Sequence, residues 1–103
     1  MLFRSTAIAE DKAGKIWVVW SSQVSSNFDL YARAFDGKRW APVERLTSAP
    51  GADIFHTMSR NRDGNVYLAW QSSRSGNFDI YFRIYDGKRW SEEMQVSSDP
   101  ADD

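Results

Sequence analysis

The sequence predicts an all-β fold of two four-stranded antiparallel sheets, built from one motif written twice. Three observations carry this. The stretch NFDLYARAFDGKRW from Asn27 returns as NFDIYFRIYDGKRW from Asn77, fifty residues on. Within each copy, runs rich in β-branched and aromatic residues are separated by clusters of Gly, Asn, Asp and Ser, the compositions of strands and of turns. No stretch of useful length has a helical period.

The repeat continues without a gap from residues 5–53 onto 55–103. Identical pairs include Gly14/Gly64, Trp20/Trp70, Asp29/Asp79, Arg33/Arg83 and Pro50/Pro100, while most other positions have diverged. The chain therefore divides into one unit at 1–53 and a second at 54–103, each a four-strand repeat. The first strands are expected at 6–10 and 56–60. DKAG and NRDG then supply turn residues. The second strands, 16–21 and 66–71, are the richest in β-branched and aromatic residues. A Ser/Asn loop leads to third strands at 28–35 and 78–85. Asp36-Gly37 and Asp86-Gly87 read as the centres of type I′ hairpins. Fourth strands follow at 39–46 and 89–96.

Side chains alternate across a strand, so each strand has two faces. Asp29, Tyr31, Arg33 and Phe35 share one face, and Leu30, Ala32 and Ala34 the other. In the second strand, Ile16, Val18 and Trp20 oppose Trp17 and Val19. Both faces are apolar, so both need cover, unlike a sheet with one solvated side. Four-stranded sheets of this repeat length with two apolar faces suit the blades of a β-propeller.

A family resemblance rests on these residues. GNVYLAWQS at 64–72, NFDIYFR at 77–83 and YDGKRW at 85–90 resemble blades of bacterial propellers of the sialidase-like, Asp-box group, over nearly the whole chain. In that group an Asp occupies the turn between the third and fourth strands and a Trp packs after it, as Asp36/Trp40 and Asp86/Trp90 would. The pattern departs at Ala34 and Ile84, where the group has Ser or Thr. The resemblance thus implies the blade and not sialidase chemistry. It also implies a secreted or periplasmic parent protein, although the opening MLFRSTAIAEDK lacks the apolar core of a secretory signal.

Two blades cannot close a ring, which takes at least about four. The chain stops where a third unit would begin. Its two outer faces differ, so self-association is expected head-to-tail and closed by rotation. A homotrimer of six blades comes first and a homotetramer of eight second, with Phe82 and Ile84 on one joining face and Tyr31 and Phe35 on the other. This architecture is similar to that of the small two-blade fucose-binding lectins of bacteria, which form trimeric rings.

Chemistry is less plainly written. The net charge of −1 provides no basic field for nucleic acid, and no apolar run is long enough to span a membrane. There is no Cys, hence no thiolate metal site. His56, the one His, has no Ser or Cys pattern around it for a triad and is expected to line a central channel. Glu92 and Glu93 would point to opposite faces of a strand as solvated charges. NRDGN has oxygen-bearing side chains spaced as in calcium loops, but DKAGK lacks them, so a plain turn is expected, with no metal or cofactor.

Five candidates for ligand binding remain. Arg33 and Arg83 could offer forked donors; the competing account pairs them with Asp29 and Asp79 or stacks them on aromatics. Trp20, Trp70, Trp40 and Trp90 recur in register and read as core. Trp17, whose counterpart is Tyr67, is freer to act with it as a sugar platform. Arg74, in the loop 72–77 that matches 22–27, is expected to be an exposed donor. The function expected is a non-catalytic propeller module with carbohydrate as the favoured ligand. The alternatives are part of a larger sialidase-like propeller, or a structural or protein-interaction scaffold.

Overall fold

A computed structural model of the chain describes residues 3–24, 27–48, 51–74, 76 and 78–96. Expectations placed on Pro50, Pro100, Asn77 and the chain ends lie outside these residues. The described residues form two antiparallel four-stranded sheets and no helix. The first sheet orders β1 (Phe3–Glu10), β2 (Ile16–Val24), β3 (Asn27–Phe35) and β4 (Glu44–Arg45). The second orders β5 (Asp53–Arg60), β6 (Val66–Ser72), β7 (Asp79–Tyr85) and β8 (Met94–Gln95).

The registers repeat with the sequence. Trp17 faces Ala34 and Val19 faces Ala32 across β2 and β3, as Tyr67 faces Ile84 and Ala69 faces Phe82 across β6 and β7. Both first strands shift register near their starts, between Phe3 and Thr6 and between Ile54 and Thr57. Such bulges bend a strand and re-aim its side chains. In β5 the bulge holds Phe55 at φ 56°, the only non-glycine in the left-handed region among the described residues.

Fifty is an even number, so residues of like parity lie on equivalent faces of the two units. The core joins opposite parities. Trp17, Val19, Leu30, Ala32 and Ala34 come from the first sheet; Val66, Leu68, Trp70 and Tyr85 come from the second. One face of the first unit thus packs on the other kind of face of the second. Among the described residues, the remaining two faces have no such cover: Ile8 is 67% and Tyr67 37% exposed, whereas Val19 and Leu68 are fully buried.

Two local expectations need correction. The fourth strands are two residues long, not eight. After the bridges Phe35–Trp40 and Tyr85–Trp90 the ladder lapses. In the first unit the Ala41 amide still bonds the Ala34 carbonyl at 2.8 Å, but the Ala41 carbonyl is taken by Arg33 Nε at 3.1 Å. In the second, the Ser91 hydroxyl replaces a ladder carbonyl by accepting from the Ile84 amide at 2.9 Å. The hairpins are not type I′ either. That turn needs positive φ at both central residues, but only Gly37 (φ 103°) and Gly87 (φ 102°) have it, and Asp36 and Asp86 do not. Instead Asp36 Oδ1 accepts the Lys38 and Arg39 amides at 2.8 and 3.0 Å, and Asp86 does the same at 2.9 and 3.1 Å. These amides hold both carboxyls below their ordinary pKa.

Candidate functional site

The turn at 11–15 and the hairpins at 36–39 and 86–89 all lie at one end of the strands. Between the two sheets at that end opens a cleft of about 920 Å³. Its floor is aromatic. Trp17 meets Tyr85 at 4.7 Å between ring centroids and Trp90 edge-on at 5.4 Å. Trp40 lines the mouth and is 45% exposed, so it is not the core residue that its repetition suggested.

The turn at 11–15 is welded to this floor. Asp11, almost fully buried, accepts the Ala13 and Lys15 amides through Oδ1 at 2.9 and 3.0 Å. Its Oδ2 accepts the Trp17 indole N–H at 3.0 Å. Lys15 donates to the Tyr85 hydroxyl at 3.2 Å, which lifts its pKa, and lies over the Trp17 and Tyr85 rings. The matching Asn61 accepts the Asp63 and Asn65 amides at 3.0 and 2.9 Å. Its oxygen is spent on the backbone of its own turn.

Six cationic side chains line the cleft against the two acids Asp36 and Glu44. Three are committed. Besides Lys15, Arg45 pairs with Asp29 and donates to the Thr47 carbonyl. Arg83 donates to the Ser91 and Leu46 carbonyls, both at 2.6 Å, tying the sheets together. The other three, Arg39, Lys88 and Arg89, have no side-chain hydrogen bond or ion pair among the described residues. Rings beneath and uncommitted donors at the rim can bind a polar ligand with an apolar face.

The five residues singled out from sequence are scattered by the fold. Trp17 and Arg83 reach the cleft. Trp17 is only 5% exposed, a buried floor rather than a free platform, because the second sheet covers its face. Tyr67 lies on the uncovered face, its hydroxyl 3.5 Å from Asn61 Nδ2. Arg33 is on the first sheet's outer face, donating to the Ala41 carbonyl at 3.1 Å and lying 5.3 Å from the Trp40 ring. Of the competing accounts for the repeated arginines, stacking describes Arg33, but neither pairs with an Asp of its own strand.

Arg74 is not the exposed donor expected. It binds Glu93 at 2.8 Å, lies 3.7 Å from buried Asp53, and covers the Tyr81 ring at 4.0 Å. It also sits at the end of the strands opposite the cleft. Glu93 is accordingly an ion-pair partner and not merely a solvated charge. His56 is wedged between the sheets rather than facing a channel: it is buried, with Nε2 2.9 Å from the Val19 carbonyl. Burial pushes its pKa down. Arg39, Lys88 and Arg89 were missed because their positions read as hairpin residues; the repeated K-R within DGKRW was the available signal. No family model matches the chain, and no curated protein matches it.

Proposed function

We propose that the chain is a non-catalytic binding module of the β-propeller kind, with carbohydrate as its ligand class and copies joined head-to-tail into a closed ring. Each sheet is one blade. Three chains making six blades is the favoured ring, and four chains making eight the next.

The observation that carries the binding half is the cleft, where Trp40 and Trp90 border Arg39, Lys88 and Arg89. Flat rings take the C–H faces of a sugar, and guanidinium groups donate in pairs to hydroxyl or carboxylate oxygens. Support for the ring comes from the parity of the faces. The uncovered face of the first sheet is of the kind buried on the second, and the uncovered face of the second is of the kind buried on the first. Unlike faces meet head-to-tail, and repeated rotation closes such contacts.

An array of neutral and acidic glycans tests the ligand class. Binding to at least one glycan is expected, weakened at least tenfold by Arg39→Ala with Arg89→Ala, since hydrogen bonds from charged groups contribute about 1.5–3 kcal/mol. No binding to any glycan would remove carbohydrate as the ligand.

A further inference from the structure

The contacts inside the chain supply a template for the contact between chains. Arg83 holds the two sheets together through two carbonyls. Its Nε donates to Ser91, on its own sheet, and its Nη1 to Leu46, on the other. Arg33, fifty residues earlier, makes the first of these bonds to the equivalent carbonyl, Ala41, at 3.1 Å. It makes no second bond among the described residues, because no sheet lies against its face.

The residue that would complete that bond is already positioned. The carbonyl equivalent to Leu46 is that of Val96. Leu46 is fixed by its amide donating to Leu30 at 2.7 Å, and Val96 by its amide donating to Ile80 at 2.8 Å. Leu46 is buried and Val96 is 61% exposed.

The rings repeat the arrangement. Inside the chain Trp17 packs on the pair Tyr85 and Trp90, whose centroids are 5.3 Å apart. The equivalent pair, Phe35 and Trp40, stands 5.1 Å apart at a similar tilt. The equivalent of Trp17 is Tyr67, on the uncovered face of the second sheet.

We infer that Arg33 and Tyr67 are the residues by which one copy joins the next: Arg33 donates to the main-chain carbonyl of Val96 in a second copy, whose Tyr67 packs on Phe35 and Trp40. This rests on the head-to-tail association proposed above and assigns its residues. Two polar ties of the internal seam do not transfer. Lys15 and Tyr85 are replaced by Asn65 and Phe35, which cannot form the ammonium–phenol bond. His56 is replaced by Thr6, too short to reach the carbonyl of Ala69 as His56 reaches Val19. The seam between copies is therefore the weaker one, held by a single arginine and a ring triad.

The test measures mass in solution by sedimentation across micromolar concentrations, with near-ultraviolet circular dichroism confirming that each variant is folded. Wild type should be a closed oligomer. Arg33→Ala and Tyr67→Ala should each shift dissociation to about ten- to a hundredfold higher concentration. Because the chain has no cysteine, single Tyr67→Cys and Phe35→Cys variants provide an independent measurement. A short bis-maleimide should join the two variants when mixed and neither variant alone. Crosslinking of Tyr67→Cys with itself would mean like faces meet, and would overturn the assignment. An oligomeric wild type unaffected by both alanine variants, with no mixed crosslink, would overturn the assignment but leave the association standing. A monomeric wild type would overturn both.

Discussion

The turns at 11–15 and 61–65 have the same backbone and opposite circumstances. In each, an Asp or Asn oxygen accepts two amides of its own turn. In the first, the other carboxylate oxygen anchors the Trp17 indole, and the next sheet covers the group. In the second, the partner is the exposed Tyr67, with its hydroxyl 3.5 Å away. The local sequence builds the turn, and the neighbouring sheet decides whether it becomes part of a core. The same contrast runs through Trp70 and Trp20, and through Arg83 and Arg33. In these pairs the covered residue has a less covered twin fifty positions away, so each pair is an internal control.

The largest effect should come from the tryptophans. Trp70 is 1% exposed, and truncating a core Trp to Ala costs about 3–5 kcal/mol. Trp20 is only partly buried and stacks on Tyr31 at 6.4 Å. Urea titration should place Trp70→Ala well below Trp20→Ala in stability. Equal losses would mean that the uncovered face of the first sheet is already covered under the conditions used.

Next come the arginines. Arg83→Ala strands the Leu46 and Ser91 carbonyls and should cost about 2–3 kcal/mol by the same titration. Arg33→Ala removes one bond at a half-open face and should cost under about 1 kcal/mol of chain stability. Its effect is expected on assembly instead.

How much of this was legible in the sequence follows from the same contrast. Strand order, the split of the apolar residues between two faces, and the turn at 11–15 depend on neighbours along the chain, and the pattern displays them. Trp17 read as a free platform because nothing local distinguishes it from Tyr67; only the second sheet does. Arg74 read as exposed because its partners are distant in sequence: Asp53 opens β5 and Glu93 immediately precedes β8. The cleft was invisible for the same reason, since its rim combines Arg39 with Lys88 and Arg89. The hairpin type failed for a local reason: Asp36 used its carboxylate to bind the amides that follow, which holds a wider turn than Asp-Gly alone implied.

A smaller difference is expected from the turns themselves. Asp11→Ala removes three acceptor bonds, one to a buried indole, and should cost about 2 kcal/mol. Asn61→Ala removes two acceptor bonds and a long, exposed donor bond to Tyr67 at a more exposed turn, and should cost about half as much. Thermal melts of the two variants, side by side, measure the difference.

The smallest effect is a pH dependence confined to one unit. His56 is buried against Val19, while its equivalent Thr6 is exposed and does not titrate. Burial lowers the His56 pKa from its ordinary 6.5, so the folded chain holds the ring neutral where the unfolded chain begins to protonate it. The unfolded state then binds more protons, and stability rises with pH through that interval. The contribution is complete above pH 6.5 and is lost as pH falls through the depressed folded value. Charging the ring there places an imidazolium between two sheets with only the Val19 carbonyl as partner, and Nδ1 has none among the described residues. Urea midpoints measured from neutral pH down to pH 5 should decline for wild type. In His56→Thr, which copies the first unit, the part of the decline nearest neutrality should vanish, although the variant starts from a lower midpoint because the Val19 bond is gone. A wild-type midpoint that is flat over this range would show that the ring reaches solvent on protonation, and that this seam is looser than its bonded geometry implies.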